Sequence, residues 1–111
     1  MITIKKSAFV FHSREKMFNL VDQVEDYPNF LPWCGKAEVI VRTKKITEAK
    51  ILINYHSIKQ SFTTRNVKVF PSKMDINLIE GPFKILKGKW SFIEIEKNTC
   101  KIEFELQYEF C

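Results

Sequence analysis

The chain has 111 residues, of which 45% are hydrophobic and 28% are charged, and its formal net charge is +5. This length accommodates one domain with a single hydrophobic core, and the composition excludes an intrinsically disordered chain. The longest apolar runs are short and are interrupted by Lys or Glu, so we expect no membrane-spanning helix.

The first predicted elements are a strand and a short helix. Apolar residues on both faces of the segment Ile2 to His12 predict a central strand of a sheet. Ser13 is a favourable N-cap, and Glu15 in the first turn complements the helix dipole. The helix is predicted to end by Asp26, and its helically spaced apolar residues are Met17, Leu20 or Val21, and Val24.

The segment Asp26–Gly35 combines two prolines with four bulky apolar side chains. Pro28 and Pro32 fix their own φ angles and disfavour a helical conformation in the preceding residues. The segment is therefore a stiff connector, which either fills a corner of the core or forms the lip of a hydrophobic pocket. Its bulky side chains are those of Tyr27, Phe30, Leu31 and Trp33.

The chain after Gly35 predicts an antiparallel sheet. The last strand alternates apolar and polar residues without a break from Cys100 to Phe110, which indicates one buried face and one hydrated face. The other predicted strands are Lys36–Thr43, Ile46–Ile58, Gln60–Phe70, Lys73–Ile79 and Gly88–Ile95. A strand, a helix and then sequential strands joined by short loops predict an α+β domain.

One helix cannot cover the apolar face of such a sheet. Six or seven strands span roughly 29–34 Å, whereas a helix of about a dozen residues is only about 18 Å long. We therefore expect either a covering element after Cys111 or a partner on the uncovered face, and self-association with a second copy of the chain is one such partner.

The residue types give little support for catalysis. His12 and His56 lie far apart, and no zinc-ligand spacing, P-loop, dinucleotide-binding or serine-hydrolase motif is present. We therefore expect no metal, no catalytic residues and a non-enzymatic role. Cys34 beside Trp33 is either a reactive thiol or, with better support, a buried structural cysteine. The three cysteines form no CxxC pair and the N-terminus lacks a secretory signal, which predicts reduced thiols in the cytoplasm.

Positive charge is concentrated around one predicted hairpin. A lysine-rich surface suits diffuse attraction to phosphate or anionic lipid better than the readout of bases, so we expect contact with RNA or a membrane rather than DNA. The alternative is a surface that only confers solubility. The basic residues concerned are Lys36, Arg42, Lys44, Lys45 and Lys50.

Two further segments carry candidate residues. Arg65 and Asn66 lie in the middle of a predicted strand, where they either face inward and orient a polar head group or face outward as ordinary surface residues. Gly81-Pro82 predicts a turn. The bulky apolar groups after that turn, on a connection and the start of the next strand, are Phe83, Leu86 and Trp90.

Taken together, these segments resemble the START-like family. The motifs that carry the resemblance are Tyr27-Pro28-Asn29-Phe30-Leu31-Pro32-Trp33-Cys34, Phe62-Thr63-Thr64-Arg65-Asn66, Gly81-Pro82-Phe83-Lys84 with Leu86, Gly88 and Trp90, and Cys100-Lys101, in this order. The resemblance runs from about Ser7 to Phe110 and is close to the ribosome-association toxin (RatA) branch. The family also includes coenzyme-Q-binding proteins and is related to polyketide cyclases.

The resemblance implies a START-like helix-grip fold, in which a curved antiparallel sheet holds a long C-terminal helix with a hydrophobic cavity between them. That helix would follow Phe110, so we expect residues 1–111 to form a single domain that is truncated at its C-terminal side. The cavity candidates are Tyr27, Phe30, Leu31, Trp33, Phe62, Thr64, Arg65, Asn66, Phe83, Leu86, Trp90 and Phe104.

The resemblance also implies two alternative functions for a cytoplasmic protein. The first is non-enzymatic binding of ubiquinone or a similar hydrophobic ligand in support of cellular respiration, with a peripheral contact with the inner membrane as an option and no other cofactor. The second is that of a toxin of the toxin–antitoxin type, which binds the large (50S) ribosomal subunit, blocks 70S assembly and inhibits translation. The basic hairpin residues are the candidates for the ribosome contact.

Overall fold

The computed structural model describes residues 1–29, 31–55 and 57–111, without the side chains of residues 55 and 58. Within these residues, seven strands, one α-helix and one 3₁₀ helix form the fold. In chain order they are β1 (Ile2–Val10), α1 (Arg14–Asp22), the 3₁₀ helix (Val24–Asn29), β2 (Cys34–Arg42), β3 (Ile46–Tyr55), β4 (Ile58–Val69), β5 (Lys73–Glu80), β6 (Phe83–Glu96) and β7 (Thr99–Phe110).

The strands form one antiparallel sheet in the order β1-β7-β6-β5-β4-β3-β2. Strands β2 to β7 are therefore neighbours in the sheet in the same order as in the chain, as the short predicted connections require. The predicted α+β architecture with sequential antiparallel strands is confirmed. The alternation predicted for the last strand is also present, because Cys100 is buried whereas Glu103 and Glu105 are exposed.

The prediction that the first strand is central was wrong. Among the described residues, strand β1 is an edge strand that pairs only with β7, from Ile2 opposite Tyr108 to Val10 opposite Cys100. It also ends at Val10 rather than His12. The prediction assumed that the apolar residues on both faces of the strand are buried, whereas Phe9 lies exposed on the second face and no other layer of the described chain packs over it.

Strand β6 begins at Phe83, five residues before its predicted start at Gly88. The connection that was predicted to project Phe83 and Leu86 is therefore part of the sheet, and both side chains are buried. The turn before it depends on Gly81, whose φ of 153° is rarely adopted by other residues. A Cβ at this position would lie 2.5 Å from the Cβ of Phe62, so the strand ends approach each other only with glycine there.

Helix α1 packs against one end of one sheet face, which we call the inner face. Its predicted N-cap is confirmed, since the backbone N–H of Lys16 donates to Ser13 Oγ at 3.2 Å. Phe18 is the buried residue of the helix. Of the two predicted alternatives, Val21 packs against the cluster around Phe18, whereas Leu20 is exposed. The helix ends at Asp22 because the backbone of Gln23 leaves the helical region before the 3₁₀ helix begins.

The core consists of two clusters on the inner face. One surrounds Phe18, Met74 and Phe92 under α1. The other lies under the 3₁₀ helix, and its buried members are Val24, Cys34, Ala49, Ile51, Phe62, Phe83 and Leu86. The two helical elements leave the side of the inner face formed by β1 and β7 uncovered, since Ile2 and Phe110 are exposed there. The expected mismatch between helix length and sheet width is therefore present in the described residues.

Candidate functional site

Cross-strand pairing brings most of the predicted cavity residues to the inner face. On β6 and β7, Trp90 lies opposite Phe104 and Leu86 lies opposite Tyr108. The rings of Trp90 and Phe104 are 4.5 Å apart between their centroids. Both side chains are only half-buried, so this part of the face is available to a further apolar group.

A second group of aromatic side chains lies at the end of β6 where the strand begins. The ring of Phe83 contacts Phe62 edge-to-face with centroids 5.4 Å apart, and it stacks on Phe110 at 4.9 Å. Phe62 and Phe83 are buried, whereas Phe110 is exposed. These rings therefore form an apolar floor that continues from the core to the uncovered part of the inner face.

The proline-containing segment closes this face on the side of β2. Tyr27 donates a hydrogen bond from its hydroxyl to the carbonyl oxygen of Val21 at 2.5 Å, and burial raises the pKa of its phenol far above the ordinary value, with a further contribution from the charge of Asp22. Tyr27 and Leu31 pack against the buried cluster under the 3₁₀ helix. The segment thus fills a corner of the core, while Trp33 is 37% exposed at its outer end.

Phe30 was predicted as part of the same lip, and it lies outside the described residues. His56, which the sequence placed in a strand, also lies outside them.

A buried polar cluster joins α1 to the sheet. The ammonium group of Lys68 on β4 lies 2.9 Å from Asp22 Oδ2, and the side chain of Lys68 is only 4% exposed. The hydroxyl of Thr47 on β3 donates to Asp22 Oδ1 at 2.8 Å. Arg42 donates to the backbone carbonyl oxygen of Asp22 at 2.9 Å and pairs with Glu25, which raises the pKa of its guanidinium. We call Asp22, Thr47 and Lys68 the Asp22 cluster.

Asn66 lies beside the Asp22 cluster on the inner face. It is opposite Thr47 on one side and Ile76 on the other, and it is 8% exposed. Its Oδ1 atom is buried without a hydrogen-bond partner among the described residues. A buried amide oxygen in this state carries a free-energy cost, which marks the position as one that a bound polar group or a water can relieve.

Arg65 lies on the opposite face of the sheet from Asn66. Its Nε atom is 2.7 Å from Glu48 Oε1, and its side chain is half exposed. Of the two alternatives for these neighbouring residues, the structure therefore places Asn66 inward and Arg65 outward. The period of two along a strand makes it impossible for both to face the cavity.

Lys68, Thr47 and Asp22 were not predicted from the sequence as members of the site. A usable signal was present, since every second residue of β4 from Phe62 to Lys68 faces inward and three of these four residues are polar. Such a polar stretch on the buried face of a strand requires partners. The partner on α1 could not be identified because it depends on where the helix docks.

Cys34 and Cys100 are buried, and burial raises the pKa of both thiols. A raised pKa leaves less thiolate at neutral pH and so disfavours nucleophilic reactivity. This agrees with the interpretation of Cys34 as a structural cysteine.

Charge is distributed unevenly between the two halves of the sheet. Residues 36–73, which span β2 to β4, contain nine lysines and arginines but only two glutamates, whereas the rest of the chain contains nine basic and eleven acidic residues. We call residues 36–73 the basic segment. Lys36, Lys44, Lys45 and Lys50 are exposed, whereas Arg42 is engaged by α1 and by Glu25.

Across the described parts of the chain, no group of three or more His, Cys, Asp or Glu side chains is arranged to hold a metal ion. Nor does any helix in those parts combine the length and apolar character needed to cross a bilayer.

A family model described as polyketide cyclase / dehydrase and lipid transport matches residues 10–111. The chain belongs to this family. Ribosome association toxin RatA of Escherichia coli strain K12 is 37% identical over 110 residues, which are 99% of this chain and 70% of that protein. The resemblance inferred from the sequence motifs is therefore confirmed.

Two further similarities of this family member are informative, one to a more distant relative and one to a solved structure. The mitochondrial coenzyme Q-binding protein COQ10 of Drosophila melanogaster is 25% identical over 109 residues, which are 95% of this chain and 45% of that protein. The solved structure of a START superfamily protein from Mycobacterium smegmatis matches with a TM-score of 0.83 at 16% identity, covering 98% of this chain and 77% of that one. This structural likeness confirms the START-like fold.

Proposed function

We propose that this domain binds ubiquinone or a similar hydrophobic ligand on its inner face, without catalysing a reaction, in support of cellular respiration. One observation carries the proposal, namely an apolar and aromatic inner face that is partly uncovered in the described residues and contains the buried amide of Asn66, whose unpartnered Oδ1 can accept a hydrogen bond from a ligand hydroxyl such as that of a reduced quinone. A relative named as a coenzyme Q-binding protein supports the choice of a quinone.

The proposed ligand lies with its apolar body along Leu86, Trp90 and Phe104, and with its polar head toward Asn66. The neighbouring ammonium of Lys68 is paired with Asp22 at 2.9 Å, so this polar end carries no uncompensated charge and suits a neutral, oxygen-rich head group. The apolar body replaces water on half-buried aromatic rings, which supplies most of the binding free energy. Tyr27, Leu31 and Trp33 border the ligand on the side of β2.

We expect Asn66→Leu to weaken ubiquinone binding about tenfold, because it replaces the amide at the polar end by an apolar group. The measurement is quenching of tryptophan fluorescence by a short-chain ubiquinone, together with quantification of quinone in organic extracts of the purified protein. Arg65→Leu is the matched control, since it changes the next residue of the same strand on the opposite face and should bind as the unmodified chain does.

Equal binding by the Asn66 and Arg65 variants would contradict the placement of the head group. If the unmodified protein neither carries a quinone after purification nor quenches with an added one, the ligand-binding function itself is wrong.

A second candidate function is association with the ribosome, which is supported by the 37% identical relative, a ribosome association toxin, and by the basic segment. In this proposal the chain acts in the cytoplasm as a toxin that binds the large subunit, blocks its joining with the small subunit and inhibits translation. Lysines attract the phosphates of ribosomal RNA without requiring a specific base sequence.

We expect Lys44→Glu combined with Lys45→Glu to abolish co-sedimentation with large ribosomal subunits at moderate salt, because two attractive charges become repulsive. Binding by the unmodified chain should fall steeply as salt is raised. Lys84→Glu is the control, since Lys84 is exposed on β6 outside the basic segment. Retention of subunit binding by the double variant would argue against a contact through the hairpin.

A further inference from the structure

Four chain connections meet at one end of the sheet, which we call the turn end. They are the β1–α1 connection at residues 11–13, the β2–β3 turn at 43–45, the β4–β5 turn at 70–72 and the β6–β7 turn at 97–98. Their common location follows from the antiparallel pairing, because β1, β2, β4 and β6 run in the same direction and their C-terminal ends lie at the same end of the sheet.

The turn end exposes many large apolar side chains. Phe11 in the β1–α1 connection is 85% exposed, and Phe70 in the β4–β5 turn is 53% exposed although its ring contacts Phe18. The ends of the adjoining strands add further groups of this kind. The main exposed members are Phe9, Phe11, Val69, Phe70, Ile93 and Ile95. Apolar surface of this extent is uncommon on a solvated protein face and indicates an interaction site.

Lysines accompany these apolar groups. Lys44 and Lys45 occupy the β2–β3 turn and Lys97 the β6–β7 turn, and none of the three has an ion pair among the described residues. The ammonium group of Lys101 lies 5.6 Å from the centre of the Phe9 ring. Glu94 and Glu96 offset Lys97 at the end of β6, so most of the uncompensated positive charge lies on the β2–β3 side.

We propose that the turn end docks onto an anionic lipid bilayer. Apolar side chains of two connections and of the adjoining strand ends enter the headgroup region, while Lys44 and Lys45 lie against the lipid phosphates. The choice of lipid over RNA follows from the apolar groups, because aliphatic side chains such as Val69 and Ile95 gain nothing from a phosphodiester backbone but gain hydrophobic free energy at a bilayer surface. This surface lies outside the proposed ligand site.

The test measures partition of the purified chain onto vesicles of phosphatidylcholine alone and onto vesicles that also contain phosphatidylglycerol. We expect binding only to the anionic vesicles. Lys44→Glu with Lys45→Glu should weaken it by at least about thirtyfold, since each lysine near an anionic surface contributes on the order of 1 kcal/mol. Phe11→Ser with Ile95→Ser should weaken it by about tenfold or more.

Two control variants lie at the opposite end of the sheet. Ile79→Ser removes a comparably exposed apolar residue near the end of β5, and Lys84→Glu reverses a charge at the start of β6. Both should partition as the unmodified chain does. Loss of vesicle binding in these controls to the same extent would overturn the assignment of the surface.

The outcomes also separate this proposal from the other two. Failure of the unmodified chain to bind anionic vesicles would refute the membrane surface. If the Phe11→Ser, Ile95→Ser variant then binds ribosomal subunits as well as the unmodified chain does, RNA is favoured as the partner of the lysines. Concentration-dependent self-association through the same residues, without vesicle binding, would likewise refute the membrane surface. All these variants should retain the quenching of tryptophan fluorescence by ubiquinone in detergent. An absence of this quenching would therefore contradict the ligand-binding proposal and not the membrane proposal.

Discussion

Replacing Asp22 by alanine is expected to lower the free energy of unfolding by about 3–5 kcal/mol. The carboxylate is the partner of the Lys68 ammonium at 2.9 Å and of the Thr47 hydroxyl at 2.8 Å, and both of these groups are buried. Its removal leaves a buried positive charge without a counter-ion and a buried hydroxyl without an acceptor. Urea denaturation of the unmodified and variant chains measures the difference.

The matched control removes both members of the ion pair. Asp22→Leu combined with Lys68→Met should recover most of the stability lost in the single variant, because two apolar residues leave no uncompensated charge. Should Asp22→Ala fail to fold, Asp22→Asn keeps an acceptor for Thr47 and provides an intermediate case. A loss below about 1 kcal/mol in Asp22→Ala would show that the cluster does not hold α1 on the sheet.

Phe92→Ala is expected to destabilise the chain by about 3–5 kcal/mol, because it empties the space beneath α1. Phe92 is 1% exposed, and its ring centre lies 5.4 Å from that of Phe18 and 6.2 Å from that of Trp90. Loss of this ring removes the surface on which the helix rests. The midpoint of urea denaturation should fall while the slope of the transition stays unchanged.

Phe11→Ala is the control for this prediction, since the same side chain is lost from a position that is 85% exposed. Its expected effect is within about 0.5 kcal/mol. Similar effects of the two substitutions would mean that α1 does not depend on the cluster around Phe92.

The order of the strands could be predicted because the signals for it are local. Alternation in β7 and short connections between consecutive strands determine which residues pair, and Gly81-Pro82 marks a turn without tertiary information. The N-cap at Ser13 is predictable for the same reason. By contrast, the edge position of β1 depends on its pairing with β7 almost a hundred residues later, which no local pattern reports.

The candidate site could be predicted only in part, for a similar reason. The apolar residues Leu86 and Trp90 were identified because bulky apolar groups after a turn are visible in the sequence, whereas Phe62 came from the family resemblance. The choice between Arg65 and Asn66 required the register of β4, which the sequence left open by one residue. The contact between Lys68 and Asp22 joins residues 46 positions apart through the docking of a helix. The charge of Lys68 alone does not distinguish this buried lysine from the lysines on the surface.

The pairing of Ile2 with Tyr108 has a consequence for the order in which the molecule is assembled. During synthesis the first strand leaves the ribosome long before β7 exists, so the backbone donors and acceptors that pair with β7 have no partner until residues 99–110 have emerged. Strands β2 to β6 can pair with their neighbours in sequence as they appear, whereas β1 can join the sheet only after β7 has been made. Contacts of such long sequence separation slow folding, and until β7 is available the nascent β1 is the segment most exposed to chaperones or to pairing with another chain.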